Sequence, residues 1–105
     1  MKEQNEVNSD HELLRNAAKA AGLMTDGRHR DGGLAVWVPG QESKYWFNWN
    51  PFTSDADAFR LAVKCLPFYT LRYSREDWEK CGEDGYAATR RAIVRAAAEI
   101  GRNMV

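Results

Sequence analysis

The sequence has few of the residues that build disulfide frameworks and metal sites. It contains two cysteines, Cys65 and Cys81, and two histidines, His11 and His29, in 105 residues. Two cysteines are too few for a disulfide framework, and neither the cysteines nor the histidines have the spacing of zinc ligands. We therefore expect reduced thiols, as in a cytoplasmic protein, and neither a metal nor a cofactor.

Long apolar runs and an excess of one charge are also missing. No apolar stretch approaches the roughly 20 residues of a membrane span, and the N-terminus, MKEQNEVNSD, is polar and unlike a signal peptide. The 15 basic and 15 acidic side chains cancel, so the molecule has no bulk attraction for nucleic acid or for an anionic membrane. We expect neither as a partner, and we predict a soluble protein that is not exported.

No catalytic constellation is recognisable either. A nucleophilic serine or cysteine would need a neighbouring base, and no motif orients His29, the one flexible candidate. The glycines of residues 25–33 lack the lysine and the following serine or threonine of a phosphate loop. The segment around Asp55 and Asp57 lacks the glycine and the bidentate glutamate of an EF-hand loop. Helix capping therefore explains these two aspartates better than calcium binding does. We do not expect an enzyme.

What the sequence does contain is an aromatic strand that leads directly into a helix, in residues 44–66. Tyrosine, phenylalanine and tryptophan at positions 45, 47 and 49 alternate with Trp46, Asn48 and Asn50. This period of two predicts a strand with one buried face and one partly exposed face. Pro51 ends the strand because it has no backbone N–H to donate.

The helix after Pro51 has both a start signal and an apolar face. Ser54 is the predicted N-cap, and the carboxylate of Asp57, three residues on, is placed to accept from the N–H of that cap. Apolar residues then recur at helical spacing. They are Ala58, Leu61, Ala62, Cys65 and Leu66.

Two further helices are predicted at the ends of the chain. Residues 1–8 lack periodicity and are expected to be a disordered tail, after which Ser9 and Glu12 form a capping box that opens a helix through Ala21. The narrow, alanine-rich face of this helix is expected to pack close to its neighbour. Residues 86–104 form the clearest helix, alanine-rich and free of proline. Its predicted inward stripe is Tyr86, Thr89, Ile93, Ala97, Ile100 and Met104.

The predicted C-terminal helix carries several arginines. A solvent-exposed helix face explains their presence better than a nucleic-acid binding site does. Three of them, Arg91, Arg95 and Arg102, are expected in solvent opposite the apolar stripe. Without a reading motif, so few phosphate contacts would give only weak, salt-sensitive binding. Arg90 flanks the stripe and is expected to pair with Asp55 or Asp57.

The remaining segments predict turns and strands. Residues 25–33, TDGRHRDGG, are rich in turn formers and predict an exposed, mobile loop with one strand-like segment at residues 28–30. Residues 34–38 form a strand, and Pro39 and Gly40 suit the centre of a type II turn into a hairpin. Residues 68–73 are β-prone. Residues 74–80 can form an edge strand or a short helical turn, and we favour the strand.

Together these segments predict an α+β protein. We expect a small antiparallel sheet of three to four strands packed with three helices, in the order α-β-β-α-β-(β)-α. A chain of this length fits one domain, over residues 9–105.

Three blocks of the sequence resemble a known family. Residues 49–64 (WNPFTSDADAFRLAVK), 86–104 (YAATRRAIVRAAAEIGRNM) and 12–23 (ELLRNAAKAAGL) resemble small proteins of tailed phages and prophages that carry the phage ABA sandwich domain. The resemblance covers nearly the whole chain and implies a phage accessory protein, located in the bacterial host cytoplasm, with helices flanking a small sheet. It supplies no catalytic residues. The chain departs from the family pattern at Ala56, where members have glycine, and in its short, acidic segment 74–84.

The best candidate for a binding site is aromatic. Trp46 shares a strand face with Asn48 and Asn50, and Trp37 on the neighbouring strand is placed to join them. Aromatic rings and amides beside a basic loop have the composition of a nucleobase site or a protein interface. That loop is formed by Arg28, His29 and Arg30. Helices on both faces of the sheet would bury the tryptophans instead.

Two functions follow as hypotheses. The first is a protein-interaction module that acts as an adaptor or inhibitor of a host or phage protein. Evasion of host defence is one process in which such a module would act. The second is a small domain that binds a nucleotide-like ligand through Trp37, Trp46 and residues 28–30.

Overall fold

A computed structural model describes residues 2–40, 46–66, 75–82 and 84–104 of the chain, with side chains from residue 10 onward. In these ranges the elements are α1 (Lys2–Ala20), β1 (Met24–Arg30), β2 (Gly33–Trp37), β3 (Phe47–Trp49), α2 (Asp55–Cys65), α3 (Arg75–Lys80) and α4 (Gly85–Arg102). The strands form one antiparallel sheet in the order β1-β2-β3. The predicted α+β class is confirmed.

One face of the sheet builds the core. Leu34 and Val36 of β2 are fully buried, and their partners across the β2–β3 ladder are Trp49 and Phe47. Trp49 is buried and Phe47 packs against the same cluster, as the alternation of β3 predicts. The helices α1, α2 and α4 contribute the other core residues, so they cover this face. Their buried residues are Leu14, Ala17, Ala18, Ala58, Leu61, Ile93, Val94, Ala97 and Ala98.

The pair α1 and α4 packs at very close range. A Cβ atom added to Gly101 of α4 would lie 2.7 Å from the carbonyl carbon of Asn16 in α1, and closer still to its oxygen. Only glycine fits there without moving backbone. The prediction that the alanine-rich face of the first helix packs close to its neighbour is confirmed, because Ala17, Ala18, Ala97 and Ala98 are all fully buried.

The first helix starts earlier than predicted. α1 begins at Lys2, so residues 2–8 are helical in backbone, and Ser9 lies inside the helix, where it is not an N-cap. A helix that already has a packed segment extends at little cost through residues of good propensity, which need no apolar face.

The start of α2 confirms most of the predicted cap. Ser54 has extended backbone angles (φ −101°, ψ 116°), and its Oγ accepts from the N–H of Asp57 at 3.2 Å. The reciprocal bond differs, because the Asp57 carboxylate accepts from the N–H of Asn50 at 3.0 Å. The N–H of Ser54 instead donates to the carbonyl of Asn50. Asp57 therefore fastens the end of β3 to the first turn of α2.

The segment predicted as a mobile loop is a strand. β1 pairs with β2 through a two-residue turn in which Asp31 (φ 52°) and Gly32 (φ 80°) both have positive φ, as a type I′ hairpin requires. The Asp-Gly pair was the signal for this hairpin. Gly27 (φ 88°) lies where the register of β1 shifts between Thr25 and His29, so this turn former is accommodated as a bulge.

Residues 75–80 form α3, so the preference for an edge strand was wrong. Asp77 of α3 is fully buried and accepts from Arg95 Nε at 2.7 Å, with a second bond from Arg95 Nη2 to its other oxygen. The buried Arg91 lies 3.9 Å from the same carboxylate and donates to Asp10 of α1 at 2.9 Å. The predicted strand at residues 68–73 and the start of β3 at residues 44–45 lie outside the described residues.

The arginines of α4 are therefore placed differently from the prediction. Arg91 is buried and Arg95 is half-buried, and each binds a carboxylate of another helix, whereas Arg102 is exposed and pairs with Glu99 at 3.4 Å. Arg90 does pair with Asp55, at 2.6 Å, as predicted. The prediction that the apolar stripe of this helix extends inward to both of its ends is also wrong, since Tyr86 is 77% exposed and Met104 is 44% exposed.

Candidate functional site

The face of the sheet opposite the core carries the candidate site, and we call it the outer face. It consists of Arg28 and Arg30 from β1, Ala35 and Trp37 from β2, and Trp46 and Asn48 beside and within β3. In β2 and β3 these residues alternate with core residues, and in β1 they alternate with half-buried ones, so they point away from α1, α2 and α4. The arginines and Asn48 are exposed, and both tryptophans are half-buried.

The two tryptophans of the outer face contact each other. Their ring centroids are 4.1 Å apart, and the rings are tilted by 56°. This arrangement is within the range of favourable aromatic pairs, and the indole N–H groups keep a polar edge beside a large apolar surface. Neither ring belongs to the core cluster. The prediction that Trp37 joins Trp46 on one face is confirmed.

Arg28 lies over this aromatic pair. Its guanidinium carbon is 4.9 Å from the centroid of the Trp46 ring, which is a cation–π distance. The Asp26 carboxylate holds the guanidinium from the other side, with Arg28 Nε at 2.8 Å, and also accepts from the backbone N–H of Arg28. The side chain is thus oriented on the surface.

A shallow cavity of about 350 Å³ opens beside this cluster. Its walls include Arg28, Arg30, Trp46 and Asn48, so cationic, aromatic and amide groups meet within one depression. The Asn48 side chain packs against the backbone of Gly33. A Cβ atom added to Gly33 would lie 2.6 Å from Asn48 Oδ1. The missing side chain at Gly33 makes room for this amide.

His29 borders the cavity but points toward the helices, in contrast to Arg28 and Arg30. Its ring stacks on His11 of α1, with centroids 3.7 Å apart and an interplanar angle of 14°. Nδ1 donates to the carbonyl of Gly33 at 3.3 Å, and Nε2 is buried without a hydrogen-bond partner among the described residues. Burial lowers the pKa of His29, and positive charge on His11 and Arg15 lowers that pKa further against the opposing Gly33 bond.

Asn50 also departs from its predicted role. Its Oδ1 accepts from the N–H of Phe52 at 3.1 Å, and its backbone N–H donates to Asp57. These bonds shape the corner at Pro51 between β3 and α2. The structure thus brings five predicted site residues to the outer face, and it gives His29 and Asn50 structural contacts instead.

The described residues offer no alternative chemistry of metal or thiol type. No group of three or more histidine, cysteine, aspartate or glutamate side chains in these ranges is placed to hold a metal ion. Cys65 and Cys81 are free, and burial raises the pKa of the Cys65 thiol, which disfavours the reactive thiolate. Among the described helices, none has the length and apolar composition needed to cross a bilayer.

Sequence reasoning missed a second exposed aromatic group. Trp78 of α3 and Tyr86 of α4 are both exposed and line a depression with Gly85 and Thr89. The signal for Trp78 was present, since it is the one large apolar residue among the charges of residues 74–80.

Comparison with known proteins adds no relatives. No family model matches the chain, and no curated protein or solved structure is similar to it. The resemblance to the phage ABA sandwich domain stays a prediction from the sequence blocks that carry it.

Proposed function

We propose that this protein acts by binding another protein through the outer face of its sheet. The observation that carries the proposal is the Trp37–Trp46 pair, which contacts solvent on a face that α1, α2 and α4 leave uncovered. Half-buried indoles cost little conformational entropy on binding and present a large apolar area.

The residue types of the outer face support a protein partner. Tryptophan and arginine are enriched among the residues that contribute most to binding energy at protein interfaces. The charges nearby are mixed, because Arg28 and Arg30 lie beside Asp26 and Asp31. Such a surface favours polar and apolar contacts of an interface over attachment to a polyanion.

We propose further that the partner is a host protein, and that this chain is a phage-encoded adaptor or inhibitor of it. Evasion of host defence is one process in which it would act. The support for this step is the sequence resemblance to phage proteins in residues 12–23, 49–64 and 86–104.

A nucleotide-like ligand is the second candidate, and the cavity beside Trp46 favours it. An aromatic ring that stacks on a base, two arginines for phosphate and the Asn48 amide for a base edge surround one depression of about 350 Å³. This volume is near the lower end of the range for small-ligand sites, about 300–1,000 Å³.

A pull-down with two matched variants tests the first candidate. Trp46→Ala removes the ring from the outer face, whereas Trp78→Ala removes an exposed tryptophan from α3 as a control. Wild type and Trp78→Ala should capture one stoichiometric host protein that Trp46→Ala does not, with circular dichroism confirming that both variants are folded. Equal capture by all three proteins would contradict the assignment to the outer face.

The same variants separate the second candidate. Quenching of tryptophan fluorescence by nucleoside mono- and triphosphates, lost in Trp46→Ala and kept in Trp78→Ala, would support the ligand site. The absence of quenching across the nucleotides would remove that candidate and leave the protein partner.

A further inference from the structure

A second cavity, of about 530 Å³, lies on the helix-covered side of the sheet, away from the outer face. It opens between the end of α1, the end of β2 and one face of α2. Its walls are mainly apolar and include Leu23, Val38, Phe47, Trp49 and Leu61. Trp49 and Leu61 belong to the core cluster, so the cavity reaches the interior at its base.

Two cations lie at the α2 wall of this cavity. Arg60 and Lys64 are one helical turn apart and both line it, and both are exposed. Within the described residues, neither forms an ion pair or a side-chain hydrogen bond. This distinguishes them from Arg90, Arg91 and Arg95, each of which binds a carboxylate.

The acidic residue on the same wall is already engaged. Asp57 lies one turn before Arg60 and accepts from the N–H of Asn50, so part of its hydrogen-bonding capacity is committed to the corner at Pro51. The described walls therefore combine an apolar interior with a mouth at which two cations outnumber one acid. Charge complementarity favours a ligand with an anionic group at the mouth, and the apolar walls favour a hydrocarbon part of the same ligand in the interior.

We propose that this cavity binds a small amphipathic organic acid, with its carboxylate at Arg60 and Lys64 and its hydrocarbon body against Val38, Phe47 and Leu61. The planar guanidinium of Arg60 can bind both carboxylate oxygens, and Lys64 supplies a second charge. A volume of about 530 Å³ fits a short alkyl or aryl chain. This inference does not depend on the function proposed for the outer face.

The test compares an acid with the alcohol of the same chain length. Octanoate and octanol are titrated into the full chain, below the aggregation concentration of octanoate, and binding is followed by calorimetry. Octanoate should bind one molecule per chain about fivefold more tightly than octanol, because Arg60 and Lys64 are exposed and an exposed ion pair contributes a factor of up to about five. Equal affinities, or no octanoate binding, would overturn the proposal.

Variants assign the effect to the two cations. Arg60→Gln with Lys64→Gln should remove the preference for the acid while octanol binding is unchanged. The control, Lys80→Gln with Arg102→Gln, makes the same change of charge at exposed residues of α3 and α4 and should keep the preference. A preference that survives in the first double variant would overturn the assignment.

A third variant tests the cavity itself. Val38 is 41% exposed, so Val38→Trp can fill the apolar part of the cavity without disturbing the core. Both octanoate and octanol should then lose affinity by at least about tenfold, as expected when the apolar body has no site. Octanoate bound as tightly by Val38→Trp as by wild type would place the acid elsewhere and contradict the proposal.

Discussion

The two faces of the sheet are built from the same three strands but differ in how closely their side chains are packed. On the covered face, small and apolar residues bring helices close together, to the point where Gly101 of α4 leaves no room for a Cβ beside Asn16. On the outer face, Trp46 contacts both the Trp37 ring and the Arg28 guanidinium, and Arg30 and Asn48 are exposed. One face supplies tight packing, and the other leaves large side chains exposed or half-buried.

The difference teaches where substitutions should matter. Packed backbones cannot relax, so a change on the covered face acts on the whole fold. Side chains on the outer face have open space beside them, so a change there moves a side chain and leaves the backbone in place. The predictions below compare matched positions on the two sides, from the largest expected effect to the smallest.

The largest effect is expected from Gly101→Ala. The new methyl group meets the backbone of Asn16, so α1 and α4 must separate, at about 3 kcal/mol of unfolding free energy. Urea unfolding measures this loss. The matched control is Gly33→Ala, whose methyl group meets the movable side chain of Asn48, and it should cost less than about 1 kcal/mol. Similar losses for the two variants would contradict the contrast.

A second comparison concerns ion pairs. Asp77→Ala removes the fully buried carboxylate that binds Arg95 and faces the buried Arg91. It should cost about 2 kcal/mol, below the roughly 3–5 kcal/mol of a fully buried broken pair, because Arg95 can reach water. Asp26→Ala breaks the exposed pair with Arg28 and should cost less than about 1 kcal/mol. Thermal unfolding of both variants checks the ranking, and a reversed order would exclude it.

The cap of α2 should give an intermediate effect. Ser54→Ala removes the oxygen that accepts from the N–H of Asp57 and should cost about 1 kcal/mol. Thr53→Ala, at the preceding exposed residue, serves as the control and should change the unfolding free energy by less than about 0.5 kcal/mol. A midpoint of thermal unfolding equal to that of wild type in Ser54→Ala would mean that the cap contributes nothing.

The smallest effect is expected from pH, through His29. Because its pKa is lowered in the folded state, the unfolded chain takes up a proton at higher pH than the folded chain does. Stability is then fully present well above about pH 6.5, the ordinary pKa of histidine, and falls as the pH decreases through that value until the folded pKa is passed. Urea unfolding between pH 8 and 5.5 measures this slope, which should be shallower in His29→Phe. An identical slope in the variant would refute the role of His29.

The sequence was sufficient wherever a local rule and a burial pattern agreed. The alternation at residues 46–49, the stop at Pro51 and the Ser54 cap together specified β3, its corner and α2. The same alternation placed Trp37 and Trp46 on a common face, and Leu61 and Ile93 are buried as the predicted apolar stripes require.

The sequence was insufficient where partners are distant in the chain. β1 alternates threonine and histidine with charged residues, so its covered side has no apolar signature. α3 depends on Asp77 meeting Arg95, 18 residues away, and short-range patterns do not contain that contact. Arg91 was misplaced for the same reason, because its carboxylate partner is Asp10 of α1.

The bulge at Gly27 has a consequence for the outermost strand of the described sheet. The register of β1 shifts between Thr25 and His29, so the edge of β1 that faces away from β2 presents an interrupted row of donors and acceptors, flanked by Asp26 and Arg28. An arriving extended chain cannot continue the ladder past that point. Within the described sheet, the bulge thereby opposes open-ended growth by strand addition at this edge, one side chain away from the aromatic outer face.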